Sequence, residues 1–169
     1  MKAILLGAAL AMSAQAQTAQ EATLRTQTTF ELDVAAKHAR AFALFGPEGE
    51  RVWAGEGWDP VVVWPRPARD AAGMVFTVAH GPFTAVWVNT RFEESAGRLQ
   101  YVYVIPGIMV TTIDVALRDA GDGTRVTVTY TRVALSEEGR AHVEKMTEGD
   151  RKAGVEWQSA LDAYLGGKK

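Results

Sequence analysis

Residues 108–134, IMVTTIDVALRDAGDGTRVTVTYTRVA, and the stretch that follows, 135–165, LSEEGRAHVEKMTEGDRKAGVEWQSALDAYL, decide the architecture. The first holds two β-rich runs, Ile108 to Arg118 and Thr124 to Ala134, on either side of Asp119 to Gly123, and so reads as a long antiparallel hairpin. The second opens on Ser136, a good N-cap with Glu137 and Glu138 behind it, and runs to about Leu165 before Gly166 and Gly167. Its apolar positions, Val143, Met146, Ala153, Trp157, Leu161 and Tyr164, fall on one stripe, so this helix has a face to bury. Nearly thirty residues make a rod of roughly 40 Å, against roughly 33 Å for a ten-residue strand. The helix is long enough to cross a whole sheet.

Upstream, residues from about Ala22 to Val34 alternate, with Thr26, Thr28, Phe30, Leu32 and Val34 on one face, which predicts a half-buried strand. Ala35 to Phe45 changes to helical spacing and ends at Gly46-Pro47. Pro47 suits the first position of a second short helix, and Glu48 and Glu50 suit the positive end of its dipole. Val61 to Trp64, Met74 to His80, Thr84 to Glu93 and Arg98 to Ile105 are further strands, separated by turns rich in proline and glycine or, before Arg98, by Glu94 to Gly97. The predicted class is α+β: one strand, two short helices, six strands in an antiparallel meander and a long C-terminal helix.

The chain has 169 residues, of which 47% are hydrophobic, enough for one sizeable core but short for two ordinary domains. A formal net charge of −2, with both signs interspersed, gives no footprint for nucleic acid. Lys2, the apolar run Ala3 to Met12 and the small-residue pattern Ala14-Gln15-Ala16 have the form of a secretory signal peptide cut after Ala16. At about ten residues that run is too short for a permanent membrane anchor, which needs roughly twenty. The expected organisation is a signal peptide over 1–16, one domain over 17–165 and a frayed tail over 166–169, with the mature protein periplasmic or secreted. The sequence has no cysteine, which removes disulfides, thiolate catalysis, cysteine zinc sites and a lipidated cysteine anchor.

This order of elements resembles the SRPBCC or START-like superfamily of helix-grip proteins, in particular its polyketide cyclase/dehydratase and lipid-transport branch. Local phrases are similar too: Phe45-Gly46-Pro47-Glu48-Gly49-Glu50 to Trp53, Gly57-Trp58-Asp59-Pro60, Gly121 to Val126, Ala134-Leu135-Ser136, and Trp157 through Ala160-Leu161 to Tyr164-Leu165. They are phrases of turns and helix faces, specific for fold and almost silent on chemistry. The resemblance implies a seven-stranded curved sheet wrapped around the long helix, and a cavity between them for a hydrophobic or amphipathic molecule.

Strand parity then proposes the lining. If Leu117 faces Val126, then Val115 meets Val128, Ile113 meets Tyr130, and Thr111 meets Arg132, all on one face. Pairing Phe92 with Leu99 puts Thr90 beside Tyr101 and Val88 beside Tyr103, and turns Trp87 outward. The expected ligand-binding residues are Tyr101, Tyr103, Thr111, Tyr130, Arg132, Met146 and Trp157. Buried tyrosine hydroxyls need partners, water or a ligand, although hydroxyls that reach the sheet rim stay wet and need none. Arg132 suits either an anionic headgroup at a pocket mouth or an ion pair with Glu137, Glu138 or an acid on the long helix. An outward Trp87 beside Val102 and Val104 would make an apolar patch and a homodimer contact. Gly149 and Gly154, costly inside a helix, either leave room in a cavity or are a kink or tolerated surface positions.

The histidines, His38, His80 and His142, lie on different elements without a metal-binding spacing, and no Walker loop, GxSxG elbow or complete dinucleotide fingerprint is present. No metal, cofactor or catalytic set is therefore expected, with His80 at a strand end as the one candidate acid or base. Three functions compete. The first is an exported carrier of a small hydrophobic or amphipathic molecule, the second a cyclase- or dehydratase-type enzyme using Tyr101, Tyr130 and His80, and the third a protein-interaction module of the co-chaperone kind.

Overall fold

The computed structural model describes residues 24–167, so the signal peptide expected over 1–16 and the last two lysines lie outside the described residues. Its elements are β1 (Arg25–Val34), α1 (His38–Ala43), a 3-10 turn (Gly49–Val52), β2 (Val61–Trp64), β3 (Val75–His80), β4 (Phe83–Glu93), a 3-10 turn (Glu94–Ala96), β5 (Arg98–Ile105), β6 (Met109–Ala120), β7 (Gly123–Ala134) and α2 (Glu137–Leu165). The seven strands form one antiparallel sheet in the order β1-β7-β6-β5-β4-β3-β2, so that only the β1–β7 closure departs from a meander. This is the predicted class.

The β6–β7 register is the predicted one, with Leu117 on Val126, Val115 on Val128, Ile113 on Tyr130 and Thr111 on Arg132. Phe92 pairs with Leu99 as expected, but the ladder shifts between Asn89 and Arg91, leaving Thr90 as an unpaired bulge residue. The two-residue alternation restarts there. Asn89 therefore faces Tyr101 and Trp87 faces Tyr103, in place of Thr90 and Val88. Trp87 is buried, and the homodimer contact expected from an outward indole loses its main residue.

α2 begins as predicted, with the Ser136 hydroxyl accepting from the Gly139 amide at 3.1 Å. Val143, Ala153 and Leu161 are buried against the sheet. β1 is an edge strand, and α2 covers its exposed backbone: Gln158 accepts from the Asp33 amide and donates to the Asp33 carbonyl, both at 2.9 Å. The two helix glycines separate. A Cβ on Gly154 would stand 3.1 Å from the Phe30 side chain, so that glycine lets α2 settle onto β1, whereas Gly149 faces open space as a surface residue.

Candidate functional site: a cavity between sheet and helix

The segment between α1 and β2 folds back over the open end of the sheet, and its sequence explains how. Gly46 and Gly49 permit the approach: a Cβ at Gly46 would fall 2.0 Å from the Asp70 carboxylate, and one at Gly49 would fall 1.8 Å from the Ala43 carbonyl. Asp70 accepts from the Glu48 amide at 3.0 Å and the Gly49 amide at 3.3 Å, holding the start of the 3-10 turn. Trp53 donates to the Leu44 carbonyl and Trp58 to the Pro47 carbonyl, at 2.7 and 2.9 Å. The Tyr101 hydroxyl donates to the Phe45 carbonyl and ties the same segment to β5. Glu50 is delivered inward by this turn.

Between this segment, the inner face of the sheet and α2 lies a cavity of ≈ 790 Å³. That volume is within the roughly 300–1,000 Å³ typical of small-molecule sites. Its mouth is bounded by the Gly57-Trp58 loop, the Gly81-Pro82 turn, and His142 and Lys145 of α2. Phe83 of that turn packs edge-on to His142, with ring centroids 5.8 Å apart, so the β3–β4 turn and the helix meet at one side. A depression at the seam between β1 and α2, lined by Phe30, Arg151 and Gln158, is a shallower groove, more open to solvent.

One wall is an aromatic stack. Trp87 lies parallel to Tyr103 at 4.1 Å between centroids, and the His80 imidazole stacks on both, at 6.0 and 5.3 Å. Trp58 closes edge-on against Trp87 at 5.5 Å. Trp157 of α2 stands edge-on to Trp53 at 5.3 Å and to Tyr130 at 6.4 Å. Flat, rigid rings give a ligand large contact area at little entropic cost.

The polar lining falls into two groups. Arg132 is fully engaged: Nε and one terminal nitrogen donate to the two Asp150 oxygens at 2.7 and 2.6 Å, and the other terminal nitrogen donates to the Tyr103 hydroxyl and to Thr111 Oγ1. Both charges are buried, so the bidentate geometry is what makes the pair tolerable. Of the alternatives for Arg132, the ion pair with an acid of the long helix is the one formed.

Glu50 contrasts with it. The residue is only 8% exposed, yet its carboxyl has no hydrogen-bond partner among the described residues. Burial, reinforced by the nearby Asp70 charge, raises its pKa well above the ordinary carboxylate range and so favours the protonated form. The Tyr130 hydroxyl, also without a partner, is pushed upward by burial and stays neutral. His80 Nε2 is buried and unpartnered, and burial, followed by the Arg132 charge and the neighbouring His142, lowers the imidazole pKa. Just behind the lining, Asn89 is completely buried with both amide atoms unpaired.

Of the residues expected from the sequence, Tyr101, Tyr103, Tyr130, Arg132, Met146 and Trp157 come together on the cavity wall. Thr111 does not reach it; fully buried, it stands behind the wall and holds Arg132. His80 is on the wall, and Glu50, Trp58 and Trp87 join it as residues that the sequence did not single out as lining. Glu50 carries no local signal, because its burial depends on the chain folding back onto Tyr101. Trp87 did carry one: a large aromatic assigned to the solvent face of a central strand is the anomaly that a bulge resolves. Among the described residues no three His, Asp or Glu side chains gather as a metal site.

The sheet, the gripping helix and the intervening cavity define a helix-grip fold. The chain matches no protein-family model and no curated protein. Among solved structures it is similar to norcoclaurine synthase from Thalictrum flavum, at 11% identity with a TM-score of 0.61, over 89% of this chain and 91% of that one. The same enzyme in complex with dopamine and hydroxybenzaldehyde aligns at 14% identity with a TM-score of 0.59, over 90% and 92%. Ara h 8.0201 aligns at 15% identity with a TM-score of 0.55, over 85% of this chain and 99% of that one. DynU16, from the dynemicin biosynthetic locus, aligns at 18% identity and a TM-score of 0.56 over 85% of this chain and 48% of its own. At these identities the likeness is one of fold.

Proposed function

We propose that this protein is an exported carrier or receptor for a small, largely aromatic molecule with one polar end, held between the sheet and α2. The observation that carries the reading is the ≈ 790 Å³ cavity walled by stacked rings, in which the Glu50 carboxyl and the Tyr130 hydroxyl have no hydrogen-bond partner among the described residues and His80 Nε2 is buried unpaired. Rings favour a flat apolar body, while the unpaired groups favour a hydroxyl or carbonyl at one end. Arg132 adds little attraction for an anion, because Asp150 already neutralises it. The complex of a similar fold with dopamine and hydroxybenzaldehyde supports ligands of this size. Export is supported by the pattern over residues 1–16. A near-neutral net charge gives no support to nucleic acid as a partner.

Native mass spectrometry of the protein isolated from its own host tests both parts. The expected spectrum shows a chain beginning at Gln17 and a co-purified small molecule, which displaces 1-anilinonaphthalene-8-sulfonate from the refolded protein. An empty protein that binds no such fluorophore overturns the carrier reading, and a chain retaining Met1 overturns export. A second reading, an enzyme of the cyclase or dehydratase type, is favoured by one observation, the unpartnered Glu50 carboxyl.

A further inference from the structure

Glu50 sits on a turn braced at nearly every other polar atom, by Asp70 at its start and by the Trp53 and Ala54 amides donating to the Glu50 carbonyl at 3.1 and 2.8 Å. Its carboxyl alone is left without a bond and lines the cavity. A glutamate needed only for folding would be paired, since an unsatisfied buried polar group costs about 1–3 kcal/mol, and an apolar residue of similar size would avoid that cost. His80 lines the adjoining wall, its ring fixed against Trp87 and Tyr103 and its buried Nε2 without a partner. Strand β5 relates the two: Glu50 lies by Tyr101 and His80 against Tyr103, two residues and about 7 Å further along. One small molecule can touch both.

Resting on the binding reading above, we propose that Glu50 and His80 are the general acid and general base of a cofactor-independent proton transfer on a small aromatic ketone or aldehyde with an acidic C–H beside its carbonyl. The imidazole removes that proton, the C–H electron pair forms the new C=C bond, and the carbonyl π pair takes the Glu50 proton to give an enol. Imidazolium and carboxylate remain. Return of the imidazolium proton to carbon and of the enol O–H proton to Glu50 restores both residues, so the net reaction is exchange of the α-hydrogen. Nothing is oxidised or reduced.

The surroundings suit these roles. Glu50 is faced by Asp70, Tyr101 and Tyr130, of which the Asp70 charge adds to burial in keeping the acid protonated. His80 is faced by Arg132 and His142, and the Arg132 charge adds to burial in favouring the neutral base. Lys145 stands at the mouth. The aromatic walls exclude water from the developing charges, which strengthens both hydrogen bonds.

The test uses 2-tetralone, an aromatic ketone with exchangeable hydrogens beside its carbonyl, in deuterium oxide with the mature protein. Proton NMR reads both its saturable binding and the loss of its α-hydrogen signals. The expected result is binding with exchange accelerated by about a hundredfold over buffer. Glu50→Gln and His80→Gln should each remove most of the acceleration while saturable binding remains detectable, with unchanged circular dichroism. The wild-type rate should be bell-shaped in pH, with the alkaline limb missing in Glu50→Gln and the acid limb missing in His80→Gln. Binding without acceleration, or full exchange in folded Glu50→Gln, overturns the proton-transfer proposal and leaves the carrier intact. No saturable binding overturns both.

Discussion

Arg132 and Glu50 line one cavity and are buried to similar degrees, yet they are treated in opposite ways. Arg132 is bonded through all three nitrogens to Asp150, Tyr103 and Thr111, while Glu50 is bonded through none of its carboxyl oxygens. Chemistry explains the difference. A guanidinium cannot shed its charge, so it must be neutralised wherever it is buried, whereas a carboxyl can take up a proton and wait. The paired end belongs to the fold and the unpaired end to whatever enters the cavity.

The largest effect that tests this contrast is at the paired end. Asp150→Ala should destabilise the protein by about 3–5 kcal/mol in urea titrations, because it strands a buried cation. Replacing both partners, Arg132→Met with Asp150→Leu, should recover most of the loss. A single-mutant loss below about 1 kcal/mol would break the comparison. Next comes Asn89, buried behind the open end with both amide atoms unpaired. Asn89→Leu should leave stability unchanged or raise it by up to about 1–3 kcal/mol. A clear loss would mean that the amide is satisfied by water and that this end is less open than it looks.

The last effect is one of slope. The folded pKa of Glu50 is raised above its ordinary value of 4.5, so below that value folded and unfolded chains are both protonated and nothing changes. As pH rises past it, the unfolded chain releases the proton while the folded chain keeps it, and stability falls until the raised folded value is passed. Glu50→Gln lacks this loss. Its stability relative to wild type should therefore improve as pH rises above 4.5 toward the raised folded value in urea titrations, and a gap independent of pH would show that the carboxyl is solvated.

How much of this was legible follows from the range of each interaction. Ser136, Gly166 and the long apolar stripe are local signals, and α2 lies where they put it. The β6–β7 register was readable because a short turn between two regular strands leaves little freedom, and it placed Thr111, Ile113, Tyr130 and Arg132 on the inner face together. The bulge at Thr90 was not readable from alternation, since one unpaired residue looks like any other in a strand, and everything before it, including Trp87 and Asn89, was assigned to the wrong side or passed over. Glu50 was read only as a helix-dipole residue. Its burial comes from Asp70, twenty residues on, and from β5, and no spacing announces a contact of that kind.

The bulge at Thr90 also bears on how such a cavity changes over time. Because side chains alternate, the loss of one residue there would force one flank of β4 to rotate, and if the N-terminal flank moved, the indole and amide would exchange places with valines. A deletion of three nucleotides could thus repaper a whole wall, a step that would otherwise take several separate substitutions. Diversification of this pocket is open to changes of strand length as well as of side-chain identity.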